Sequence, residues 1–269
     1  MTPDPKSPAP ALRPVNIISL GAGVQSSTMA LMAAEGLLTP MPEAAIFSDT
    51  GNERKKVYEW LRLLEPMLPF PVIRVFHPSG LKLSERSLIV RTSKHGNRYS
   101  QSAIPVFIGG GLQQRQCTRD FKIDLISRAA RAVAKGRRIT QWIGISLDEC
   151  IRMKPSQKRM TTNIFPLIDL KMTRSDCKRW CAERGLYPPK SSCIFCPFHD
   201  NSQWASLSKE ELAEAAAYER ALQETYRKTR MTGIPFLHRS CVPIDQVDFS
   251  LPAFFGEAWG NECEGACGV

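Results

Sequence analysis

Val15–Leu20, "VNIISL", is a short, mostly apolar run that leads into Gly-Ala-Gly and continues, from Ser26, as "SSTMALMAAEGLL". A run of that length is a buried strand, and the spacing of Met29, Leu31, Met32 and Leu37 is helical, with Gly36 near the stop. A buried strand turning through glycines into a helix must feed a parallel sheet, because the helix lies back across the sheet before the next strand begins.

The rest of the chain repeats this alternation. "EAAIFSD" (Glu43–Asp49) reads as a second strand, "VYEWLRLLEPML" (Val57–Leu68) as a helix, and "FPVIRVFH" (Phe70–His77) as a third strand. Residues 79–114, rich in Ser, Gly, Arg and Lys, have weak periodicity and are expected to form a long functional excursion. A helix follows over Thr118–Gly136 and a strand over Arg138–Ser146. Thr173 is placed to cap the next helix, and Ser208 with Glu211 makes a capping box for a long helix reaching about Arg230. The expected fold class is α/β, a doubly wound, mostly parallel, Rossmann-like sheet with a small Cys-rich C-terminal region. The expected organisation is a Pro-rich disordered tail over residues 1–14, a nucleotide-binding domain over 15–170, and a helical and Cys-rich region over 171–269.

A chain of 269 residues, 43% apolar, buries a full core; its net charge of +10 favours anionic partners. The opening "MTPDPKSPAPALRP" has no apolar signal core, and no stretch is long and apolar enough to span a bilayer, so a cytoplasmic protein without a membrane partner is expected. Nine cysteines, an odd number, point in a reducing compartment to metal or thiol chemistry rather than to disulfides.

In a parallel sheet ligands sit beyond the carboxyl ends of the strands, and a Gly loop entering a helix offers N–H groups and a positive dipole end to an anion. Gly21 and Gly23 admit a close backbone approach; Ser26, Ser27 and Thr28 add hydroxyls. The loop lacks a Walker lysine and is not G-x-G-x-x-G, so a plain strand-to-helix turn with serine capping is the competing interpretation.

Three further segments bear on the choice: Asp49-Thr50-Gly51 at the end of the second strand, "CTRDFK" opening a helix, and "IGISLDECIR" leaving a late strand. Taken in order with the loop, they resemble the phosphoadenosine phosphosulfate (PAPS) reductase family of the PP-loop, adenine nucleotide α-hydrolase-like superfamily, from about Val15 to Pro197. The resemblance implies that Gly21, Ala22, Gly23, Gln25, Ser26 and Ser27 wrap the phosphates of an adenine nucleotide (ATP, adenylyl sulfate or PAPS). It implies that Asp49, Thr50 and Gly51 lie beside the nucleotide and that Lys122 reaches the anionic group. It also matches the segment from Gly144 to Arg152, and "FPLIDL", to family segments. The chain departs from Ser-Gly-Gly-x-Asp-Ser of the ATP-splitting relatives: Gln25 stands at the acidic position, where an amide donates to phosphate without Mg²⁺ and a carboxylate needs Mg²⁺ between. Ser19, just before the loop, is a candidate for the displaced hydroxyl.

"SSCIFCPFHD" sets Cys193 and Cys196 in C-x-x-C spacing, suited to one metal or to a redox dithiol. Cluster-bearing reductases of the family pair such a motif with Cys-Cys a few residues before a lysine. Cys117 matches the first of these and Thr118 replaces the second, so the resemblance implies an iron–sulfur cluster, [4Fe–4S], with three ligands carried over. Cys263, Cys267 or Cys241 completes the set, or one iron stays open to a reactant; zinc suits four thiolates equally. His199 is a weaker candidate ligand. The tail "NECEGACGV" loosely matches the family's C-terminal Glu-Cys-Gly nucleophile, which makes Cys263 and Cys267, with Lys122, the candidate catalytic residues and Cys263 a candidate ligand too. Cys150, Cys177 and Cys181 are expected to be structural, and nothing in the spacing requires His238 to be at the site.

Three functions remain in play. The first is a sulfur-reducing or sulfur-transferring enzyme with an adenine nucleotide, a cluster, and a reductant or sulfur-donor protein. The second is an ATP pyrophosphatase adenylating a nucleic-acid base or tRNA. The third is a non-catalytic nucleotide- or nucleic-acid-binding protein with structural zinc. The basic runs "RAARAVAKGRR" and "RMKPSQKR" are solvated faces that also suit a nucleic-acid backbone.

Overall fold

The computed structural model describes residues 12–100, 104–229 and 232–251. Along the chain come β1 (Val15–Leu20), α1 (Val24–Ala34), β2 (Ala44–Asp49), α2 (Lys55–Leu64) and β3 (Val72–Phe76). There follow α3 (Leu83–Ser87), β4 (Val90–Thr92), β5 (Arg98–Ser100), β6 (Phe107–Ile108) and β7 (Gly111–Leu112). Then come α4 (Asp124–Ala134), β8 (Ile139–Ile143), β9 (Thr161–Ile164), α5 (Pro166–Asp169), α6 (Arg174–Ala182), α7 (Asn201–Ala205) and α8 (Lys209–Arg227).

The central sheet has the order β3-β2-β1-β8-β9, and every neighbouring pair in it is parallel. Alternation along each strand divides its side chains between two cores. Ile18, Leu20, Phe47 and Trp142 pack under α1, α2 and α6; Val15, Ile17, Ile46 and Ile139 pack under α4. Helices on both faces make the α/β, doubly wound architecture expected from the alternation of elements. The strand order reverses between β1 and β8, which opens a crevice at their carboxyl ends.

A third core lies beside the sheet. Leu83, Ile104, Val106 and Phe121 join Phe195, Trp204, Tyr218 and Leu222 in it, so the excursion after β3 packs on the C-terminal helices. That excursion, expected as an aperiodic loop, contains α3 and two short antiparallel hairpins, β4–β5 and β6–β7. Strands of two or three residues are too short to register an alternation.

Other boundaries differ by a few residues. α1 begins at Val24 rather than Ser26, β8 ends at Ile143 rather than Ser146, and α8 ends at Arg227 rather than near Arg230. The helix expected from Thr118 opens with a π-helical turn, Arg119–Ile123, before α4 begins. The predicted caps form: Thr173 accepts from the Asp176 N–H and Ser208 from the Glu211 N–H, each with its reciprocal carboxylate bond. Among the described residues no helix is long and apolar enough to cross a membrane.

Candidate functional site

The loop between β1 and α1 lies at the sheet's reversal point. Ala22 at its tip has φ +56°, a left-handed conformation that costs a non-glycine residue on the order of 1 kcal/mol and is held here by full burial. Gly23 is the N-cap of α1 with no described side-chain cap, and the first turn carries no acid, so no carboxylate of that turn offsets the helix's positive dipole end. Ser26 Oγ accepts from the Gly21 N–H at 3.2 Å and closes the turn; Ser27 Oγ accepts from Trp60 Nε1 at 2.8 Å. Gln25 Nε2 donates to Ser146 Oγ and Glu149 Oε2, both at 3.3 Å. Two buried oxygens of this corner, Ser19 Oγ and Gln25 Oε1, have no hydrogen-bond partner among the described residues.

Across the crevice, Gly144 follows β8. A Cβ there would lie 2.9 Å from the nitrogen and Cα of Ser26, so the missing side chain lets the helix start close on the strand end. Arg152 Nη1 bonds Glu149 Oε2 at 2.8 Å, which links Gln25, Glu149 and Arg152 through one carboxylate. Burial pushes the Glu149 carboxyl above its ordinary pKa, against the pull of Arg152.

The Asp49–Gly51 turn closes β2. Asp49 Oδ1 accepts from the Gly51 N–H and from the Tyr58 hydroxyl, each at 2.7 Å. Gly51 has φ +72°, and a Cβ would meet Lys82 Cγ at 2.7 Å. Thr50 Oγ1 donates to Glu53 Oε1 at 3.2 Å and lies 3.4 Å from Cys193 Sγ. Lys122, aimed inward by the π-helical turn, sets its Nζ 3.8 Å from Glu53 Oε1. Thr50, Glu53 and Lys122 are all buried, so this is a desolvated polar knot joining β2 to the C-x-x-C loop.

Three of the candidate ligand cysteines border a common cavity. Cys117, Cys193 and Cys196 line one cavity of about 20 Å³, together with Thr50, Lys122 and Arg115. The C-x-x-C loop is tied to the segment after β2 by the Ile194 N–H bonding the Asn52 carbonyl at 2.9 Å and by a Glu53–Cys193 bridge. Burial first, and then the Glu53 charge, raise the Cys193 thiol well above its usual range. Such a thiol gives up its proton only to a strong competitor such as a metal.

Three thiols are a donor type that a thiophilic metal takes, and they border one cavity. Among the described residues, no group of three His, Cys, Asp or Glu side chains is drawn together as a metal-ligand set, and the cavity has room for about one water-sized sphere. Loading a larger group there requires the walls to part.

The other sulfur residues are apart from this cavity. Cys177 and Cys181 are wholly buried under α1, with Thr28 Oγ1 3.2 Å from Cys181 Sγ, as expected of structural cysteines; Cys150 is exposed. Cys241 and His199 are not among the cavity's lining residues. His199 is buried with Nε2 2.9 Å from Ser192 Oγ, and burial lowers its pKa to about 3, which keeps it neutral. Cys263 and Cys267 lie outside the described residues, as does the tail before Leu12.

No protein-family profile matches the chain, and no curated protein matches it. Among solved structures, it is similar to a phosphoadenylyl-sulfate (PAPS) reductase from Candida auris, determined as a phosphate complex. The two share 14% identity over 65% of this chain and 76% of that one, with a TM-score of 0.45.

Glu53, Tyr58, Glu149 and Arg115 belong to the site and did not emerge from the sequence. Glu53 follows Asp-Thr-Gly by two residues, and an acid so close to a candidate anion site was its one available signal. Arg115, whose guanidinium lies 5.1 Å from the Phe198 ring centroid, has no sequence signal at all.

Proposed function

We propose that the chain is an enzyme that binds an adenine nucleotide at the Gly21–Ser27 loop and reduces or transfers sulfur beside a cysteine-held iron–sulfur cluster. The observation that carries this proposal is the single cavity shared by Cys117, Cys193, Cys196, Lys122 and Thr50, residues brought from three distant parts of the chain to the edge where Asp49-Thr50-Gly51 lies.

The uncapped start of α1 and the loop N–H groups would hold the phosphates, and Ser19 Oγ and Gln25 Oε1 have capacity to spare for a ligand or its water. Asp49, fixed by Tyr58, orients the turn that carries Thr50 towards the thiols. Lys122 and Arg115 border the cavity with an apolar wall, and the buried Lys122 Nζ, held by Glu53, is the cation that an anionic sulfur group would draw on beside the thiols. Cys117, Cys193 and Cys196 would hold the cluster, whose contribution when bound is electron storage or an open site for sulfur. Cys263 or Cys267 would supply the attacking thiol or a further ligand.

Anaerobic purification tests the cofactor. Iron with acid-labile sulfide supports the assignment, whereas stoichiometric zinc without iron overturns it. Incubation with ATP, adenylyl sulfate or PAPS then tests the chemistry. Reduction of adenylyl sulfate releases AMP and sulfite and consumes an electron pair from an added dithiol, whereas pyrophosphate released from ATP signals adenylation instead.

A further inference from the structure

The crossover from β8 to β9 is built without an α-helix. Parallel neighbours are ordinarily joined by one that lies on the sheet. Here residues 144–160 hold a 3₁₀ stretch, Leu147–Arg152, and irregular chain. α4 covers its face of the sheet mainly at β1, β2 and β3, and beside it, over β8 and β9, a cavity of about 340 Å³ is left. That volume falls in the range of small-molecule sites, about 300–1,000 Å³.

Its lining divides into three chemistries. The floor is apolar, from Ile126 of α4, Ile143 and Ile145 of the β8 end, and Phe165 after β9. Two neutral amides rise through it: Gln141 and Asn163 are paired in register on β8 and β9 and so project from the same face. Arg119 from the π-helical turn and Arg152, Lys154 and Lys158 from the crossover also line it; Arg152 is paired with Glu149 and Arg119 lies 3.9 Å from Asp124, so Lys154 and Lys158 carry the positive excess. The Asn163 Nδ2 bond to the Lys154 carbonyl, 3.1 Å, fixes that cationic chain over the cavity. Ile151, which precedes the lining residue Arg152 in the chain, is 91% exposed.

We propose that this cavity is a second nucleotide site, separate from the Gly21–Ser27 loop, that takes a nucleoside monophosphate unit. A planar heterocycle matches an aliphatic and aromatic floor, and its mixed donor and acceptor edge matches amides, each of which both donates and accepts. Lys154 and Lys158 meet the phosphate, on a crossover free of the helical geometry that would turn them outward. A purely anionic ligand leaves the apolar floor and the amide pair unused, and a purely apolar one makes no use of Lys154 and Lys158. The same unit exists free or within a single strand of nucleic acid, and Ile151 beside Arg152 and Lys154 suits either.

The test is calorimetric titration of the full chain with cytidine 5′-monophosphate, ribose 5-phosphate, a single-stranded DNA octamer, and a non-hydrolysable ATP analogue as the probe of the loop. Cytidine monophosphate is expected to bind, to lose about tenfold or more in affinity in Lys154→Glu/Lys158→Glu, and to weaken in Gln141→Leu. Ribose 5-phosphate is expected to bind more weakly than the nucleotide and to ignore Gln141→Leu. The ATP analogue is expected to bind the variants as it binds the wild type. An octamer that binds more tightly than the mononucleotide, with the same sensitivity to the two lysines, identifies a strand as the source; equal affinities identify the free nucleotide. The proposal is overturned if neither cytidine monophosphate nor the octamer binds, if the variants leave their binding unchanged, or if ribose 5-phosphate binds as well. Competition between cytidine monophosphate and the ATP analogue for one site overturns it too. Failure of the ATP analogue alone removes the loop as an adenylate site and leaves this cavity's assignment standing.

Discussion

A methyl group on Gly144 would sit 2.9 Å from both the nitrogen and the Cα of Ser26, and both contacts are backbone, which has little freedom to give way. Gly144→Ala therefore pushes β8 away from the start of α1, at about 1–3 kcal/mol for a small overpacking change. A lowered Tm together with weakened ATP-analogue binding is the expected outcome; unchanged values in both would show the contact to be slack. His238 supplies a pH test at the same scale. It is buried, with Nδ1 2.7 Å from Ser240 Oγ and Nε2 3.0 Å from Asn201 Oδ1, and burial lowers its pKa to about 4. Above pH ~6.5 the ring is neutral folded or unfolded and contributes no pH dependence. Between about 6.5 and 4 the unfolded chain takes up the proton and the folded chain does not, so stability falls as the pH falls. Thermal melts of His238→Gln should show a flatter acid limb over that window, and a limb identical to the wild type's would assign the acid sensitivity elsewhere.

Helices longer than five residues and most strands of the central sheet were legible, because their periodicity and caps are local signals, whereas the five-residue α3 and α7 were not. Thr173 and Ser208 cap as their spacing requires. The π-helical turn that carries Lys122 was not legible, since Arg119–Ile123 has the composition of any helix start; in the fold its Phe121 packs into the third core and its Lys122 is buried. Nor was the second task of Glu211. Its carboxylate completes the box at the start of α8 and also takes the buried Arg54 Nη2 at 3.2 Å, which bolts α8 to the N-cap of α2. The Ser208 backbone bond and the Arg54 charge together hold Glu211 below the ordinary carboxylate pKa, against the opposing effect of burial. Ser208→Ala then costs about 1 kcal/mol, the usual worth of a cap. Glu211→Ala costs about 3 kcal/mol or more, because it leaves Arg54 with a buried charge and, among the described residues, Ser206 as its remaining hydrogen-bond partner. Urea unfolding separates the two; equal losses would show that Arg54 draws nothing from the pair.

At the scale of the whole molecule the sheet edge and the third core meet at the cysteine cavity, and the sequence offered the candidate cysteines without showing that junction. Cys117 precedes the π-helical turn, Cys193 and Cys196 lie between α6 and α7, and Thr50 and Glu53 follow β2. What joins them is long-range: a backbone bond from Ile194 to Asn52, a bridge from Cys193 to Glu53, and an ion pair from Lys122 to Glu53. A group held by the three thiols cross-links these segments, so it stabilises the folded chain by mass action, about 2.7 kcal/mol at a hundredfold excess over Kd. Anaerobic reconstitution with iron and sulfide should therefore raise the Tm of the wild type. Cys196→Ser should bind less iron and show a smaller rise, while its metal-free Tm stays near that of the metal-free wild type because serine preserves the shape of a half-buried side chain. A wild-type Tm indifferent to loading would mean that the thiols do not act together, and the sulfur chemistry assigned to this edge would then lack its centre.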